Sequence, residues 1–404
     1  MLKRVAITGL GAVSPVGQSA QSYWSGLLEG RSQGFASVLI PKALLTPRIV
    51  REVREFDPSA HFSMDQLLLL DRVSQFAVVA AREAVAQSGI VLDELRGDVA
   101  AIVGTAIGGQ TTMDDSLRRL YAEGASRLHP FTVPKLMLSA PASQVSMFLG
   151  ITGPTFAVAS ACASATHAIG QAFELVRSGK VTAAVTGGTE ACIAAGSLKG
   201  WEAMRILAPD VCRPFSKNRE GIILAEGAAM VVIEDLEHAR QRGADVLAEI
   251  VGFGMTADAM DLTAPDPGGM ARAMSSALND AQLLPEMVDH VNAHGTGTIA
   301  NDVAETRAVH RVFGKHAHQL AICSNKSVIG HSLGAAGALE LVAVVMAMRH
   351  GTLSATVNYL GRDPDCDLDY VPNEPRVRET RVAISNSFAF GGLNAALAVR
   401  KFEA

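Results

Sequence analysis

The sequence predicts an α/β fold that is repeated in two halves. Short apolar segments, many of them β-branched, alternate with helical patterns along the chain, an order typical of sheets covered by helices. With 404 residues, 49% of them hydrophobic, the chain is longer than one hydrophobic core usually supports. The alternation restarts near Gly243, so we expect one domain at residues 1–244 and a second at 245–404.

The first half opens with a predicted strand at residues 5–7. The glycine-rich stretch that follows, residues 9–14, is interpreted as a turn and superficially fits a dinucleotide-binding loop. Such a site also needs an acidic strand end, and the region near Glu29 is instead a glycine-bounded loop. Cofactor binding is therefore not expected at this position.

A polar segment with prolines covers residues 30–63, and a helical pattern covers residues 66–87. The helical pattern contains four consecutive leucines, residues 67–70, which cannot all lie on one side of a helix. Some of them must be exposed or covered by a partner.

The remaining elements follow the same apolar patterns. Residues 156–159 are expected to form a buried strand, and residues 222–233 two β segments around a glycine. Glycines after two other strands, Gly104 and the pair Gly187 and Gly188, are interpreted as turns. The other predicted strands are 99–103, 181–185, 246–251, 288–292, 321–323, 382–384 and 395–399, and the other predicted helices are 269–281, 302–313 and 337–349.

Cys162 lies where the strand 156–159 passes into a helix that contains His167. The free N–H groups at a helix start and the positive end of its dipole stabilise a thiolate, so this position predicts a lowered thiol pKa and a nucleophile. The small residues around it allow a substrate to approach the sulfur. The alternative is that Cys162 is one more small buried hydrophobic residue.

Three other stretches place polar or aromatic side chains among glycines at strand ends, where α/β folds collect their sites. These stretches supply His294, then Lys326, His331 and Glu340, and finally Phe390. Each histidine taken alone could be structural. The setting shared with Cys162 favours a common site.

Composition excludes several classes of function. A net charge of −5 gives no basic surface for nucleic acid. The five cysteines are scattered without a CxxC pair, which indicates a reduced cytoplasmic chain without a structural metal. Glycines interrupt the N-terminal apolar run, and the apolar stretch 339–348 is short and carries Glu340, so we expect neither a signal peptide nor a membrane span.

Six motifs in order make the chain resemble the β-ketoacyl-acyl-carrier-protein synthases, the elongating condensing enzymes of bacterial fatty acid synthesis. They are ITGLGAVSPVG, SACASATHAIG, RPFSKNREGIILAEGAAMVVIE, NAHGTGT, SNKSVIGHSLGAAG and SNSFAFGG. The resemblance covers almost the whole chain and implies a thiolase-like fold, a five-layered αβαβα sandwich of two duplicated halves. The stretches FTVPKLMLSAPASQVSM, WEAMRILAPDVCRPFS and PDCDLDY resemble a specialised nodulation branch of this family.

The resemblance implies a decarboxylative condensation that extends an acyl chain by two carbons. No cofactor is permanently bound, because the substrates are carried on the phosphopantetheine of acyl carrier protein. By motif, the Cys-His-His triad corresponds to Cys162, His294 and His331, and Lys326 and Glu340 form a charge network that sets histidine protonation. An ordinary buried ion pair is the alternative for the last two.

The same comparison of motifs implies further roles. Backbone N–H groups at Cys162 and at the gating Phe390 would form an oxyanion hole. Thr296 and Thr298 would bind the pantetheine arm. Three residues would shape the acyl channel: Ile107, Phe131 and Trp201. Of these, Phe131 would be contributed across a dimer interface. Packing in the hydrophobic core would explain the presence of these bulky residues equally well.

Two departures from the family concern partners and the gate. Relatives carry Lys or Arg near residues 64–70, where acidic carrier protein docks, but this chain has the leucines. Docking would then depend on Arg72, Arg127 and Arg205, or the leucines would contact a non-catalytic ketosynthase-like subunit. A homodimer or such a heterodimer is implied. Leu393 replaces a threonine common in the gating turn.

Other functions of the same fold fit less well. A thiolase would have a second cysteine in place of His331, and a chalcone-type synthase an asparagine. A non-elongating, chain-length-factor-like subunit would lack the nucleophile. A cysteine hydrolase differs by its product, a free acid formed without release of CO2.

Overall fold

The computed structural model describes residues 2–40 and 49–403. Part of the predicted polar segment, residues 41–48, therefore lies outside the described residues. The strands are β1 Val5–Val13, β2 Phe35–Ala36, β3 Ile49–Val50, β4 Val99–Gly104, β5 Thr155–Val158, β6 Ala183–Glu190, β7 Gly227–Asp235, β8 Ala248–Ala257, β9 His290–Asn292, β10 Ala321–Cys323, β11 Thr352–Leu353, β12 Arg376–Val377, β13 Val382–Ala389 and β14 Leu393–Arg400. The helices are α1 Ala20–Leu28, α2 Met64–Leu69, α3 Arg72–Ser88, α4 Leu92–Leu95, α5 Gln110–Tyr121, α6 Thr132–Leu136, α7 Ala140–Leu149, α8 Ser164–Arg177, α9 Ala195–Ala203, α10 Leu236–Gln241, α11 Pro267–Asp280, α12 Ile299–Phe313, α13 Lys326–Ile329 and α14 Ala336–His350.

Strand pairing repeats between the two halves. The first half has the order β5-β4-β6-β7-β1 and the second has the order β10-β9-β13-β14-β8. In each set the first three strands are parallel and the last two are antiparallel to their neighbours. The predicted duplicated α/β fold is confirmed. The domain boundary at residues 244 and 245 falls between α10 and β8 and stays a prediction.

The two halves are joined at their antiparallel edges. Residues 5–7 of β1 pair with residues 248–250 of β8, so that the ten strands form one hydrogen-bonded sheet. Between the two halves lie α8 and α14, which contact strands of both. The outer faces are covered by α3 and α7 in the first half and by α11 and α12 in the second. These are the five layers of the predicted sandwich.

The central helix α14 is almost completely enclosed. All of its residues from Ala336 to Met348 are buried. The stretch Leu333–His350 has the length and apolar composition of a membrane span, with mean hydropathy 1.4, yet 89% of it is buried in the protein. Its composition therefore matches its position between the two halves of the sheet.

Several predicted glycine turns are strand interiors. β1 continues to Val13, so the turn predicted at residues 9–14 is wrong, and the comparison with a dinucleotide loop fails with it. A Cβ at Gly9 or Gly11 would lie 2.0 Å from a carbonyl oxygen of α3. Gly187, inside β6, would meet a carbonyl oxygen of β7 at 2.1 Å. These glycines permit close packing of backbone against backbone.

The predicted helix 66–87 is broken in two. Leu70 is extended, and the Asp71 carboxylate caps α3 by accepting a hydrogen bond from Val73 N at 2.9 Å. Leu70 is buried, whereas Leu68 and Leu69 are 54% and 40% exposed. The leucines therefore divide between core and surface, as the helical pattern required.

Two predicted strands differ in detail. β5 lies at the edge of the sheet rather than in its interior, and Phe156 is 40% exposed. Of the two β segments predicted at residues 222–233, only the second belongs to a strand, β7. In the first, Leu224 forms an isolated bridge with His331.

Candidate active site

Cys162 lies in a tight turn between β5 and α8. The preceding residue, Ala161, has a positive φ of 49°, which is unusual for any residue other than glycine. Ser164 Oγ donates to Ala161 O at 2.7 Å and accepts from Ser160 N at 2.9 Å. The Ser160 hydroxyl is in turn 2.7 Å from Nδ1 of His167. These hydrogen bonds fix the turn that presents the sulfur.

The structure brings Cys162 together with two histidines of the second half. His331 Nε2 lies 3.1 Å from Cys162 Sγ. The ring of His294 is centred 5.4 Å from that of His331 and is nearly perpendicular to it, at 82°. All three residues are buried, although they are far apart in sequence.

The thiol environment contradicts the predicted thiolate. Burial raises the pKa of the Cys162 thiol to about 12, although the charge of Lys326 and the N–H groups of Phe390 and of Cys162 itself act to lower it. Because only 6% of the residue is exposed, loss of hydration outweighs the helix start. The prediction of a lowered thiol pKa is therefore wrong. Deprotonation needs a nearby acceptor, and His331 Nε2 is in position to be one.

Both histidines are neutral. Burial, and then the charge of Lys326, hold the pKa of His294 and of His331 well below the ordinary value. Lys326 Nζ is 3.3 Å from His294 Nδ1, and an ammonium can only donate. His294 Nδ1 is therefore the acceptor, and the proton of this ring is on Nε2.

Lys326 and Glu340 form an ion pair with no exposed surface on either side chain. Lys326 opens α13, and Glu340 projects from the first turns of α14. The pKa of Glu340 is raised above its ordinary value, because the effect of burial exceeds the opposing effect of the Lys326 charge. The pair fixes the ammonium beside His294, so its position agrees with the charge network that the resemblance implied.

A second carboxylate holds the backbone of the His294 loop. Glu305 of α12 accepts the N–H groups of His294 and Gly295, both at 2.8 Å, and Asn386 donates to it at 3.2 Å. Burial raises the pKa of Glu305 to about 7. One turn earlier, Asp302 accepts the N–H of Gly297 at 3.2 Å. Sequence reasoning missed both acids, whose signal is a pair spaced i, i+3 just after the loop.

A third missed acid, Glu190, lies at the end of β6 and is fully buried. It accepts the N–H groups of Ala106 at 2.8 Å, Ile107 at 3.4 Å and Gly334 at 3.0 Å. Burial raises its pKa to about 7. Glu190 thereby connects the loop after β4 with the turn that follows His331.

A pocket of about 70 Å³, open to solvent, gives access to the triad. Cys162, His294 and His331 line it together with Thr296, Thr298, Trp201 and Phe390. The rings of Trp201 and Phe390 are stacked at 6.0 Å. The hydroxyls of Thr296 and Thr298 are 2.9 Å apart, and that of Thr298 also caps α12.

The other two predicted channel residues, and Leu393 of the gating turn, lie outside the pocket lining. Ile107 packs behind the pocket against the central core. Phe131 is 47% exposed at the start of α6, outside the pocket. Leu393 begins β14 and pairs with Ala389. The structure therefore brings Trp201 to the pocket directly, and the predicted contribution of Phe131 requires a partner subunit.

Of the three arginines predicted to dock a carrier protein, Arg72 is placed differently. Its guanidinium forms a bidentate ion pair with buried Glu226 at 2.6 and 2.9 Å and lies over the ring of Phe76. It stabilises the interior and is not free to bind a partner, which corrects the prediction. Arg127 and Arg205 are exposed, and Arg205 adjoins Ile206 in the pocket wall.

The triad atoms lie close enough to hold a metal ion, all within 4.8 Å of one another. However, the buried ammonium of Lys326, 3.3 Å from His294, opposes a cation at this place. The geometry favours covalent chemistry at sulfur over metal binding.

Comparison with known proteins agrees with this site. The family model described as "Beta-ketoacyl synthase, N-terminal domain" matches residues 2–239, and "Beta-ketoacyl synthase, C-terminal domain" matches residues 247–360. The chain is 48% identical to "Nodulation protein E" of Rhizobium sp. (strain N33), covering 99% of this chain and 100% of the relative. It is 41% identical to "3-oxoacyl-[acyl-carrier-protein] synthase 2" of Synechocystis sp., covering 99% of each. The solved structure described as "The ishigamide ketosynthase/chain length factor" superposes with a TM-score of 0.94 at 34% identity, over 100% of both chains.

Proposed function

Because the chain belongs to the β-ketoacyl synthase family, we propose that it is a 3-oxoacyl-[acyl-carrier-protein] synthase that uses Cys162 as its nucleophile. The reaction joins malonyl carrier protein to an acyl group held on Cys162, with loss of CO2, and lengthens the chain by two carbons. The observation that carries the proposal is the Cys162 Sγ to His331 Nε2 contact of 3.1 Å beside neutral His294.

In the first half-reaction Cys162 takes the acyl group from its carrier. His331 Nε2 accepts the thiol proton as sulfur attacks the thioester carbonyl. The carrier thiolate leaves and recovers that proton, so His331 returns to the neutral form. The raised thiol pKa makes this local base necessary.

The second half-reaction forms the new carbon–carbon bond. His294 Nε2–H donates to the thioester carbonyl of the malonyl group. As CO2 leaves, the electron pair passes into the carbonyl and forms an enolate, which this donor stabilises. The enolate carbon attacks the acyl carbonyl on Cys162, and collapse of the tetrahedral intermediate expels the Cys162 thiolate. A proton from water, relayed by His331 Nε2, restores the thiol.

Backbone donors complete the site. The N–H groups of Cys162 and Phe390, which both face the sulfur, bind the oxyanion of that tetrahedral intermediate. Thr296 and Thr298 line the route that the phosphopantetheine arm takes, and their hydroxyls are its polar contacts. Phe390, stacked on Trp201, gates the entrance from the acyl side.

The partner in both half-reactions is acyl carrier protein, the carrier named in the Synechocystis relative. Its docking face is formed by exposed Arg205 beside the pocket wall, with Arg127 and the exposed pair Leu68 and Leu69. No resident cofactor takes part, and the five free buried cysteines accord with a reducing cytoplasm.

A second subunit is proposed at the open edge of β5. Only one side of β5 pairs with another strand of the described chain, and Phe156 on it is 40% exposed. Helices α5 to α7 add further exposed apolar side chains: Met113, Leu117, Leu120, Tyr121, Val133, Met137, Leu138 and Met147. An unpaired edge with an apolar surround fits a homodimer or a ketosynthase-like partner.

The test is mass spectrometry of the untagged protein with acyl and malonyl carrier proteins, alongside Cys162→Ala. An acyl adduct on Cys162, release of CO2 and a β-ketoacyl product two carbons longer would support the proposal. Formation of free acid without CO2 would instead indicate a hydrolase. Failure of Cys162 to be acylated by any donor would favour a non-elongating subunit.

A further inference from the structure

A second group of potential ligands lies far from the catalytic pocket. His310 is on the last turn of α12, His318 is in the short 3-10 helix of residues 314–319, and Asp367 is in the loop before β12. One ligand atom from each lies within 4.8 Å of the other two. His310 lies twelve positions after Thr298, which caps α12 at the pocket, a distance of about 18 Å along the helix.

The three side chains already contact one another. His310 Nε2 lies 2.7 Å from Asp367 Oδ1, and the rings of His310 and His318 are 5.2 Å apart at 64°. His310 and Asp367 are half-buried, and His318 is exposed. The cluster is therefore partly ordered by its own contacts and open on one side.

We propose that His310, His318 and Asp367 form a binding site for a divalent transition metal of the Zn²⁺ type. Two imidazole nitrogens and one carboxylate oxygen are a ligand set that zinc accepts, with water in the fourth position. At bond lengths of about 2.0–2.2 Å, tetrahedral ligands lie about 3.4 Å apart. Small side-chain rotations bring atoms now up to 4.8 Å apart to that spacing, and the metal takes the place of the proton between His310 and Asp367.

The backbone around the cluster is well anchored. Arg362 donates to the carbonyl oxygen of Asp367 at 3.1 Å, and Asp363, four residues earlier, is paired with the buried guanidinium of Arg219. His316, in the same turn as His318, contacts the carbonyl oxygen of Val288 through Nε2 at 2.8 Å. Ligands held by fixed segments lose less freedom on binding a metal.

The expected consequence is stabilisation of the second half. The metal would tie the far end of α12 to the loop of residues 360–370, and α12 carries the two acids that hold the His294 loop. A ligand that binds only the folded state raises stability in proportion to the logarithm of its concentration above Kd. Condensation itself does not require the site.

The experiment is a titration of untagged, EDTA-treated protein with ZnCl2, followed by calorimetry and thermal unfolding. Wild type is compared with His318→Ala, whose side chain is exposed, and with His61→Ala, a matched exposed histidine outside the cluster. Cys162→Ala removes the thiol of the catalytic triad, the other cluster of the described residues whose atoms have metal-ligand spacing, and so checks that zinc does not bind there. We expect one zinc equivalent and a raised Tm in wild type, His61→Ala and Cys162→Ala.

Zinc affinity should fall about tenfold or more in His318→Ala. Loss of a group that only hydrogen-bonds to a metal ligand already lowers metal affinity by about that factor. The condensation rate of His318→Ala without metal should equal that of wild type. Wild-type affinity in His318→Ala, loss of all zinc binding in Cys162→Ala, or no binding to wild type at micromolar zinc would each overturn the proposal. These outcomes are independent of the condensation assay, so they are separable from failure of the proposed function.

Discussion

Lys326 Nζ lies 3.3 Å from His294 Nδ1, and the same ammonium forms a fully buried ion pair with Glu340. The lysine thereby fixes the tautomer of His294 and is itself fixed by the glutamate. The catalytic donor in the pocket, His294 Nε2–H, is thus determined by a group on its opposite side.

Replacement of this lysine should separate the two half-reactions. In Lys326→Met, decarboxylation of malonyl carrier protein should fall about 10²-fold or more, because His294 no longer has a fixed proton on Nε2. Acylation of Cys162 should fall much less. The substitution also leaves the buried Glu340 without its partner, which should lower the free energy of unfolding by about 3–5 kcal/mol. Mass spectrometry of the acyl adduct and CO2 release measure the two steps, and equal losses in both would contradict the assignment.

The thiol should be a weak nucleophile outside the catalytic cycle. Since burial raises the pKa of Cys162 to about 12, its alkylation by iodoacetamide should be slow at pH 7 and still rising at pH 9. His331→Ala should slow acyl transfer by about 10²-fold or more by removing the local base. A plateau of alkylation below pH 7, located on Cys162 by peptide mapping, would show a stable resting thiolate instead.

The turn before the nucleophile should accept glycine at position 161 but should be destabilised by a β-branched side chain there. Ala161 has a φ of 49°, so Ala161→Val should lower the free energy of unfolding by about 1–3 kcal/mol. Ala161→Gly should change it by less than about 1 kcal/mol, since relief of strain offsets the greater freedom of the unfolded chain. Urea unfolding compares the two variants. If the glycine variant were as unstable as the valine variant, the positive φ of residue 161 would not be the cause of the destabilisation.

His290 gives a pH dependence whose sign is fixed by its burial. It lies in β9 with Nδ1 2.8 Å from Ala321 O, and burial lowers its pKa to about 4. Between about pH 6.5 and 4 the proton binds to His290 in the unfolded chain but not in the folded chain. This residue should therefore lower the free energy of unfolding by about 3 kcal/mol as pH falls through that range. It contributes no loss above pH 6.5.

Other groups titrate in the same range, so the measurement is a difference. His290→Asn keeps a donor for the carbonyl of Ala321 but does not titrate. Its free energy of unfolding should fall less steeply than that of wild type between pH 6.5 and 4. Parallel curves for the two proteins would show that His290 titrates alike in the folded and unfolded states.

The exposed leucines of α2 should contribute to carrier docking. Leu68→Ser with Leu69→Ser should weaken binding of the cognate carrier protein, because two apolar side chains are lost from the proposed face and no charge is added. Leu360→Ser, at a 64% exposed leucine of the second half, is the control. Affinity is measured by calorimetry at fixed salt. Unchanged affinity would remove the leucines from the docking face and leave it to Arg205 and Arg127.

The sequence predicted the fold from the alternation of its elements, and the assembly of the site from polar residues at strand ends. The structure confirms the duplicated α/β fold and brings Cys162, His294 and His331 into contact distance. Strand ends are recognisable because glycines and polar residues follow apolar runs. Parallel strands then collect those ends at one edge.

Other features could not be read from local pattern. Gly9 and Gly11 resemble turn glycines, yet their role is set by α3, which packs on them from about 70 residues away. Glu190 and Glu305 look like surface acids, and only the tertiary structure shows the backbone N–H groups that they accept. The thiol pKa was predicted from the helix start alone, whereas its value depends on how completely the folded chain excludes water.

The position of α14 between the two halves also has a consequence for biosynthesis. Translation completes the first half about 100 residues before α14 is finished, which at about 5–20 residues per second is a delay of roughly 5–20 s. During that interval the inner face of the first half has no α14 to cover it, and the Cys162–His331 contact, spanning 169 residues, cannot form. The nascent chain therefore exposes an apolar surface before it can be active, and this interval is where we expect chaperones to act and aggregation to begin.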